Sequence, residues 1–321
     1  MLRLVRDDEK PNGISAEERA PGTMIAVDAP STDPFSLTTY EHHLEQLEGE
    51  INNLRAEIDL LRRRDETLKF YMHRLDEELR LAARLQQDFL PKTLPQLGQV
   101  FFHTLFRPAG YVSGDLYDVM RLDESHVGFY MADAVGHGMP AALLTMFMKN
   151  ALITKQITPG GYRLVDPSEA LANLNSSLVE QHLTQATFAT AVYGMVNVKT
   201  LMCRFARAGH PCPLLLRGDG SLLELSSDGG LLGIFPNDVY ADGQIQLIAG
   251  DRLIIYSDGI EVAFADDQTM NTQQWRRELE ARRDLPGDEL LADLCKSLDR
   301  ETGSLTPKDD LSVVIIEVRG N

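Results

Sequence analysis

Acidic residues in a few short motifs are the side chains of this sequence with the clearest capacity for chemistry. They are Asp115 in VSGDLYD, Asp133 in YMADAVGHG, Asp258 in IIYSDGIE, and the pair Asp309 and Asp310 in PKDDLSVVII. Each motif alone is weak, because an Asp-Gly after an apolar strand is a common turn signal. All of these acids are expected where predicted strands end, so carboxylates from both halves of the chain can converge on one point.

The ligand chemistry of these acids indicates a hard divalent metal. Oxygen ligands without a His or Cys cluster favour Mg²⁺ or Mn²⁺ over Zn²⁺. Such a cation can lower the pKa of a bound water and make it a nucleophile. A protein nucleophile is then unnecessary. The sequence also has no Cys flanked by an obvious phosphate-cradling loop, which argues against a cysteine-dependent phosphatase.

Composition limits the expected partners and compartment. Asp and Glu outnumber Lys and Arg by 48 to 31, and the net charge of −17 argues against nucleic acid or an anionic membrane as partner. Three widely spaced cysteines without a CxxC pair indicate neither a disulfide framework nor a zinc knuckle. A cytoplasmic location is therefore expected. We predict neither a signal peptide nor a membrane span.

Short β-rich runs separated by turns should position the acids. Strands are predicted at residues 100–106, 127–131, 188–198, 202–208, 213–217, 244–249, 252–257 and 312–318. One helix is expected after Gly138 and another from Asp166, in a start that resembles a capping box. Two more are expected between residues 271 and 300. Hairpin-connected strands with grouped helices indicate an α+β layered sandwich.

A heptad pattern precedes this domain. Its apolar positions are Leu44, Leu47, Ile51, Leu54, Ile58, Leu61, Leu68, Met72, Leu75, Leu79 and Ala82, with Asp65 as the one polar break. This spacing predicts a coiled-coil helix over residues 40–90 and a homodimer, although a single amphipathic helix packed on its own domain remains an alternative. Residues 1–38 are expected to form a flexible tail. The compact domain is expected over residues 99–320, after Pro91 and Pro95.

From about residue 83 to residue 320 the sequence resembles the type 2C metal-dependent protein phosphatases. The resemblance is to the bacterial branch that includes the sporulation phosphatase SpoIIE and the stress phosphatase RsbU. The matching segments occur in the family's order and are LQQDFLP, VSGDLYD, DAVGHG, ARAGHPCPLLLR, GGLLGIF, YSDGIEVAF and KDDLSVVIIEVR. The resemblance implies a four-layer αββα sandwich with two Mn²⁺ or Mg²⁺ ions per site.

The resemblance also implies roles for individual residues. Asp115 and Asp133 would bind the metals beside the Ala134 carbonyl, and Asp258 and Asp309 would complete the shell of one metal. Asp310 remains an alternative to Asp309.

Some positions depart from the family's pattern. Val135 stands nearest to where many eukaryotic relatives place a proton-donating His, so the general acid is not identified. His137 and Arg107 are weaker candidates for contact with substrate phosphate.

The predicted function is that of a protein serine/threonine phosphatase. By resemblance, the expected substrate is a STAS-domain anti-sigma-factor antagonist, and an upstream protein could activate the enzyme through the linker helix. Two alternatives remain open at this point. One is a coiled-coil scaffold with little catalysis, and the other is a metallophosphatase that acts on small molecules.

Overall fold

A computed structural model of the chain describes residues 37–182, 188–264, 273–301 and 307–320. The predicted flexible tail lies outside these residues, except for its last two positions. Helix α1, Leu37–Phe89, is continuous over 53 residues and ends just before Pro91, which cannot continue a helix. Internal contacts divide the chain into two units between Lys69 and Phe70. The predicted domain boundary near residue 99 stays a prediction.

The unit that begins at Phe70 contains the strands. In chain order they are β1 (Val100–Arg107), β2 (Asp115–Arg121), β3 (His126–Ala134), β4 (Lys155–Thr158), β5 (Gly161–Leu164), β6 (Ala189–Asn197), β7 (Met202–Ala208), β8 (Leu214–Leu216), β9 (Leu222–Glu224), β10 (Gly243–Gln246), β11 (Arg252–Tyr256) and β12 (Leu311–Val318). One sheet has the order β1-β12-β11-β8-β9 and a second has the order β10-β7-β6-β3-β2. Strands β4 and β5 form a separate hairpin.

Helices cover the outer face of each sheet. They are α2 (Met139–Ala151), α3 (Pro167–Glu180), α4 (Asp258–Phe264), α5 (Gln273–Ala281) and α6 (Gly287–Glu301). Helices α2 and α3 pack on the second sheet, and α4, α5 and α6 pack on the first. A third apolar cluster fills the space between the two sheets. The predicted αββα sandwich is therefore confirmed.

Strand β12 shows why these sequences form the central layers. Each of its eight residues is buried, because one face meets the other sheet and the opposite face meets the helices. Strands covered on both faces are expected to be mostly apolar, and six of the eight residues of β12 are apolar. Trp275 is also fully buried, where it stacks on Phe264 with ring centroids 5.7 Å apart. No helix among the described residues is both long and apolar enough to cross a membrane.

The predicted strands and helices were confirmed, but helix α4, which begins at Asp258, was not predicted. Two local expectations were wrong. Asp166 precedes α3 but makes no side-chain capping bond, because its carboxylate accepts a hydrogen bond from Arg204 Nη1 at 2.6 Å. Asp115 is the first residue of β2 and does not end a strand. Strands β2, β4, β5 and β9 were not predicted.

Candidate metal centre

Two of the acids lie directly opposite each other in the second sheet. Strands β2 and β3 are antiparallel, and their register pairs Asp115 with Asp133. Since side chains alternate along a strand, both acids share a face with Tyr117 and Met131, which belong to the core between the sheets. The start of β2 and the end of β3 therefore carry two carboxylates to one edge of this core.

The first sheet supplies the other acids at the corresponding edge. Asp258 lies two residues after the end of β11, and Asp309 and Asp310 immediately precede β12. Strands β11 and β12 are antiparallel neighbours, so the end of one and the beginning of the other lie together. Asp115, Asp309 and Asp310 thus lie at the starts of strands, whereas Asp133 and Asp258 lie at or just after the ends of strands. The expectation that all of the acids lie at strand ends was therefore wrong, because neighbouring strands are antiparallel and bring a start and an end to the same edge.

Electrostatic coupling shows that the acids from the two sheets are close. The pKa of Asp133 is raised to about 7. Burial is the largest cause, and the charges of Asp258, Asp309 and Asp310 contribute to the same increase. Asp258 is solvent-accessible, yet desolvation by its neighbours raises its pKa, and the charge of Asp309 adds to this. Like charges in a confined site oppose mutual ionisation. A bound cation would remove that conflict.

Asp115 provides the strongest sign that the donors fit a cation. Its side chain is 1% exposed, and Oδ2 has no hydrogen-bond partner although it is buried. Burial raises its pKa well above the ordinary value, the charge of Asp133 adds to this, and the hydroxyls of Ser257 and Ser312 lower it. Buried carboxylate oxygens are normally paired or coordinate a metal. Among the described residues, no three acids, His or Cys are already arranged as a ligand set.

The two acids before β12 have different surroundings. Asp310 is buried, and its carboxylate accepts hydrogen bonds from the backbone N–H groups of Ala109 at 2.7 Å and Gly114 at 2.6 Å. Asp309 is exposed, and it accepts one bond from the backbone of Asp310 at 2.8 Å. Asp310 therefore holds the loop before Asp115, whereas Asp309 is the acid with freedom to turn toward an ion. This favours Asp309 as the ligand.

Small residues keep the backbone accessible around the acids. A Cβ atom at Gly114 would lie 3.2 Å from the carbonyl oxygen of Ala134, and one at Gly259 would lie 2.0 Å from that of Asp310. Ala134 also donates its N–H to the carbonyl of Gly114 at 3.2 Å. A larger side chain at either glycine would displace the segments that carry the acids. The position of the Ala134 carbonyl beside Gly114 is compatible with its predicted role as a ligand.

A cleft of about 430 Å³ adjoins Asp309 and Asp310. Residues 109–112, 137–139 and 308–310 line it together with Leu79 of α1. His137 is among the lining residues and is exposed. Arg107 is engaged elsewhere, because its Nη1 donates to Asp299 of α6 at 2.7 Å. Contact of either residue with substrate phosphate stays a prediction.

Gln86 is a buried residue that sequence reasoning missed. It is 2% exposed, its Nε2 donates to the Ser113 carbonyl at 2.7 Å, and its Oε1 accepts from the Ser113 N–H at 2.9 Å. The C-terminal end of α1 is thereby bonded to the loop that precedes Asp115. The segment LQQDFLP contained Gln86, but nothing in its spacing indicated a partner 27 residues away.

Replacing Gln86 by alanine should lower the free energy of unfolding by about 3 kcal/mol, because two buried backbone groups of Ser113 lose their partners. Gln87→Ala is the matched control, since Gln87 is exposed and should tolerate the change within about 0.5 kcal/mol. Urea unfolding followed by circular dichroism measures both. Equal stabilities of the two variants would contradict the contribution assigned to Gln86.

Several known proteins are similar to this chain in sequence and in fold. A family model described as stage II sporulation protein E matches residues 123–319, which is more than half of the chain. Phosphoserine phosphatase RsbU of Bacillus subtilis (strain 168) is 26% identical over 252 residues, covering 78% of this chain and 73% of that protein. The chain spans only 32% and 58% of two further curated relatives.

Two solved structures are also similar. The PP2C phosphatase domain of the cell fate determinant SpoIIE from Bacillus subtilis, with a fragment of its regulatory domain, aligns with a TM-score of 0.57 and 25% identity, over 69% of this chain and 62% of that chain. The SiaA-PP2C domain of Pseudomonas aeruginosa aligns with a TM-score of 0.64 and 21% identity, over 78% and 98%, and supports the fold alone. The chain belongs to the stage II sporulation protein E family, in the SpoIIE- and RsbU-like branch of the type 2C phosphatases.

Proposed function

We propose that this chain is a metal-dependent protein serine/threonine phosphatase. The observation that carries the proposal is the group of carboxylates that both sheets deliver to one edge of the core, with a buried, unpaired oxygen on Asp115. A purely structural domain gains nothing from holding repelling acids together, and such perturbed groups are typical of functional sites. The similarity to a protein named phosphoserine phosphatase supports the same activity here.

The acids would hold two Mn²⁺ or Mg²⁺ ions. Asp115 and Asp133 would act as ligands with the Ala134 carbonyl, and Asp258 and Asp309 would complete the shell. Bound ions supply an activated water and neutralise the charge on the phosphoryl group. Asp310 keeps the loop before Asp115 in place through its bonds to the backbone N–H groups of that loop.

A cysteine nucleophile is a poor alternative for this chain. Cys203 is fully buried between the sheets, and burial raises the pKa of its thiol to about 12. Burial also raises the pKa of Cys212 to about 11, and the side chain of Glu224 adds to this. The thiolate is the reactive form of cysteine, so both thiols are poorly suited to attack phosphorus. This supports an activated water as nucleophile.

The substrate we propose is a phosphorylated regulatory protein, specifically a STAS-domain anti-sigma-factor antagonist. The specific substrate follows from the resemblance, whereas the cleft beside Asp309 supplies a surface on which residues around a phosphoserine can bind. Binding energy from such flanking residues can contribute to positioning the phosphoryl group. A small phosphorylated metabolite would leave most of this cleft unused.

A comparison of substrates tests this proposal. With Mn²⁺, we expect kcat/KM for a phosphoserine-containing STAS-domain protein to exceed that for phosphorylated metabolites by at least about a hundredfold, because only the protein can use remote contacts. A short peptide around the same phosphoserine is the control for contacts outside the cleft. Faster turnover of a metabolite would favour a small-molecule phosphatase, and absence of turnover on every substrate would favour a scaffold.

Helix α1 supports the proposed homodimer. The first six seam residues of the heptad pattern are each between 43% and 58% exposed in the single chain, and they are Leu44, Leu47, Ile51, Leu54, Ile58 and Leu61. An apolar stripe at this spacing is buried when two such helices pair. Asp65 interrupts the stripe and binds Lys69 of the same helix at 2.8 Å. A partner protein that altered this helix could regulate the phosphatase.

The full chain should therefore have twice the monomer mass of 35.8 kDa in sedimentation or light scattering. The double change Leu54→Asp and Ile58→Asp should give the monomer, because it places charges in the paired seam. The double change Asn52→Asp and Asn53→Asp adds the same two charges outside the seam and should leave the dimer intact. A wild-type monomer, or dimers of equal stability in both variants, would show that α1 does not pair as proposed.

A further inference from the structure

His210 is a buried histidine at the polar edge of the core between the sheets. It follows strand β7 and Gly209, whose φ of +65° is readily adopted only by glycine, and whose Cβ would lie 2.5 Å from Leu231. The His210 side chain is 0% exposed. Arg207 Nη1 donates to the His210 carbonyl, so the backbone on both sides of the ring is fixed.

The ring contacts β6, the strand that pairs with β3 beside the proposed ligand Asp133. Nδ1 lies 2.8 Å from Oγ1 of Thr190, and Thr190 is the residue directly opposite Asp133 in the ladder of β3 and β6. Nε2 is buried and has no hydrogen-bond partner. His210 is thus bonded through Nδ1 to the strand that lies next to the one carrying Asp133.

The charge state of the ring suits this position. The pKa of His210 is lowered to about 3, mainly by burial and to a smaller extent by the charge of the neighbouring Arg207. The imidazole is therefore neutral at physiological pH. A neutral ring can connect polar groups without adding a cation beside a metal site.

We propose that His210 is a positioning residue of the metal centre, which braces β6 through Thr190 and thereby fixes the position of Asp133, the residue opposite Thr190 in the ladder. The inference rests on the proposed function only in assuming that Asp133 binds divalent metal. Groups that orient metal ligands from the next layer typically change metal affinity by about tenfold to a hundredfold when they are removed. The brace would therefore appear in metal binding, even without measurement of activity.

Titration calorimetry of the metal-free chain with Mn²⁺ tests the brace. His210→Leu keeps the approximate volume and removes both ring nitrogens, and should raise the Kd for Mn²⁺ by about tenfold or more. Thr190→Val removes only the hydroxyl that contacts Nδ1 and should also weaken binding. His210→Asn keeps a polar atom near the position of Nδ1 and should retain affinity within about threefold of wild type.

The matched control is Val196→Ala, which lies in β6 on the same face as Thr190 but at the far end of the strand. It opens a cavity and lowers the melting temperature, and it should leave the Kd for Mn²⁺ within about twofold. A Kd for His210→Leu within twofold of wild type, or equal shifts in His210→Leu and Val196→Ala, would overturn the brace. If His210→Leu does not fold, unchanged affinity in Thr190→Val overturns it. A wild-type chain that binds no Mn²⁺ would overturn the metal centre as well.

Discussion

Replacing Asp133 or Asp258 by alanine should each reduce phosphatase turnover by at least about a thousandfold, while the fold survives. The rate should fall because a ligand to the ions that activate water and stabilise the transition state is lost. The fold should survive because the charge of Asp258 raises the pKa of Asp133 and the charge of Asp309 raises the pKa of Asp258, so removal of one acid relieves repulsion within the group. The melting temperature of the metal-free variants should equal or exceed that of the metal-free wild type.

Asp284→Ala is the control for loss of a carboxylate, since the Asp284 side chain is 94% exposed and lies outside the acidic group. It should keep wild-type turnover. Phosphate release at saturating Mn²⁺ gives the rates, and thermal unfolding in EDTA gives the stabilities. Turnover near the wild-type value in Asp133→Ala or Asp258→Ala would contradict the assignment of these residues as metal ligands.

Removal of metal should abolish turnover of the wild-type chain. The donors are all oxygen atoms, and the nucleophile proposed here is water, which is a weak nucleophile at neutral pH without a cation to lower its pKa. We expect no measurable phosphate release in EDTA and full recovery when Mn²⁺ or Mg²⁺ is returned in excess. Thermal unfolding in the two conditions should show an increase in melting temperature with metal, because the ions bind the folded state.

Zn²⁺ is the informative control in this experiment. A site built for hard cations should recover little activity with Zn²⁺, which favours nitrogen and sulfur ligands. Full activity in EDTA, with elemental analysis confirming that the protein is free of metal, would refute a mechanism based on metal-activated water.

The layered fold was predictable because its strands are short apolar runs and its helices have their own start signals. Strand β7 was predicted at residues 202–208, the range that it occupies. Strand β2 was missed because its sequence, DLYDVMR, mixes charged and apolar residues. Helix α4 was missed because an Asp-Gly pair is usually a turn, whereas here it opens one short helix.

The acids of the candidate site could be found from sequence, but their supporting groups could not. Gln86 bonds to Ser113, and His210 bonds to Thr190, through contacts between segments that are distant in the chain. Such contacts depend on strand register and sheet packing, which no local pattern encodes. The sequence could not decide between Asp309 and Asp310 as the metal ligand for the same reason. The decision depends on which of the two carboxylates accepts hydrogen bonds from the loop before Asp115.

An anomalous diffraction experiment on crystals grown with Mn²⁺ tests the metal centre most directly. The account predicts two Mn²⁺ peaks at the edge of the core between the sheets, contacted by carboxylates of Asp115, Asp133, Asp258 and Asp309. Asp310 should remain bound to the backbone of Ala109 and Gly114. Absence of Mn²⁺ from this edge in crystals of a chain that is active with Mn²⁺ would contradict it. Ligation by Asp310 in place of Asp309 would contradict the roles assigned to these two acids.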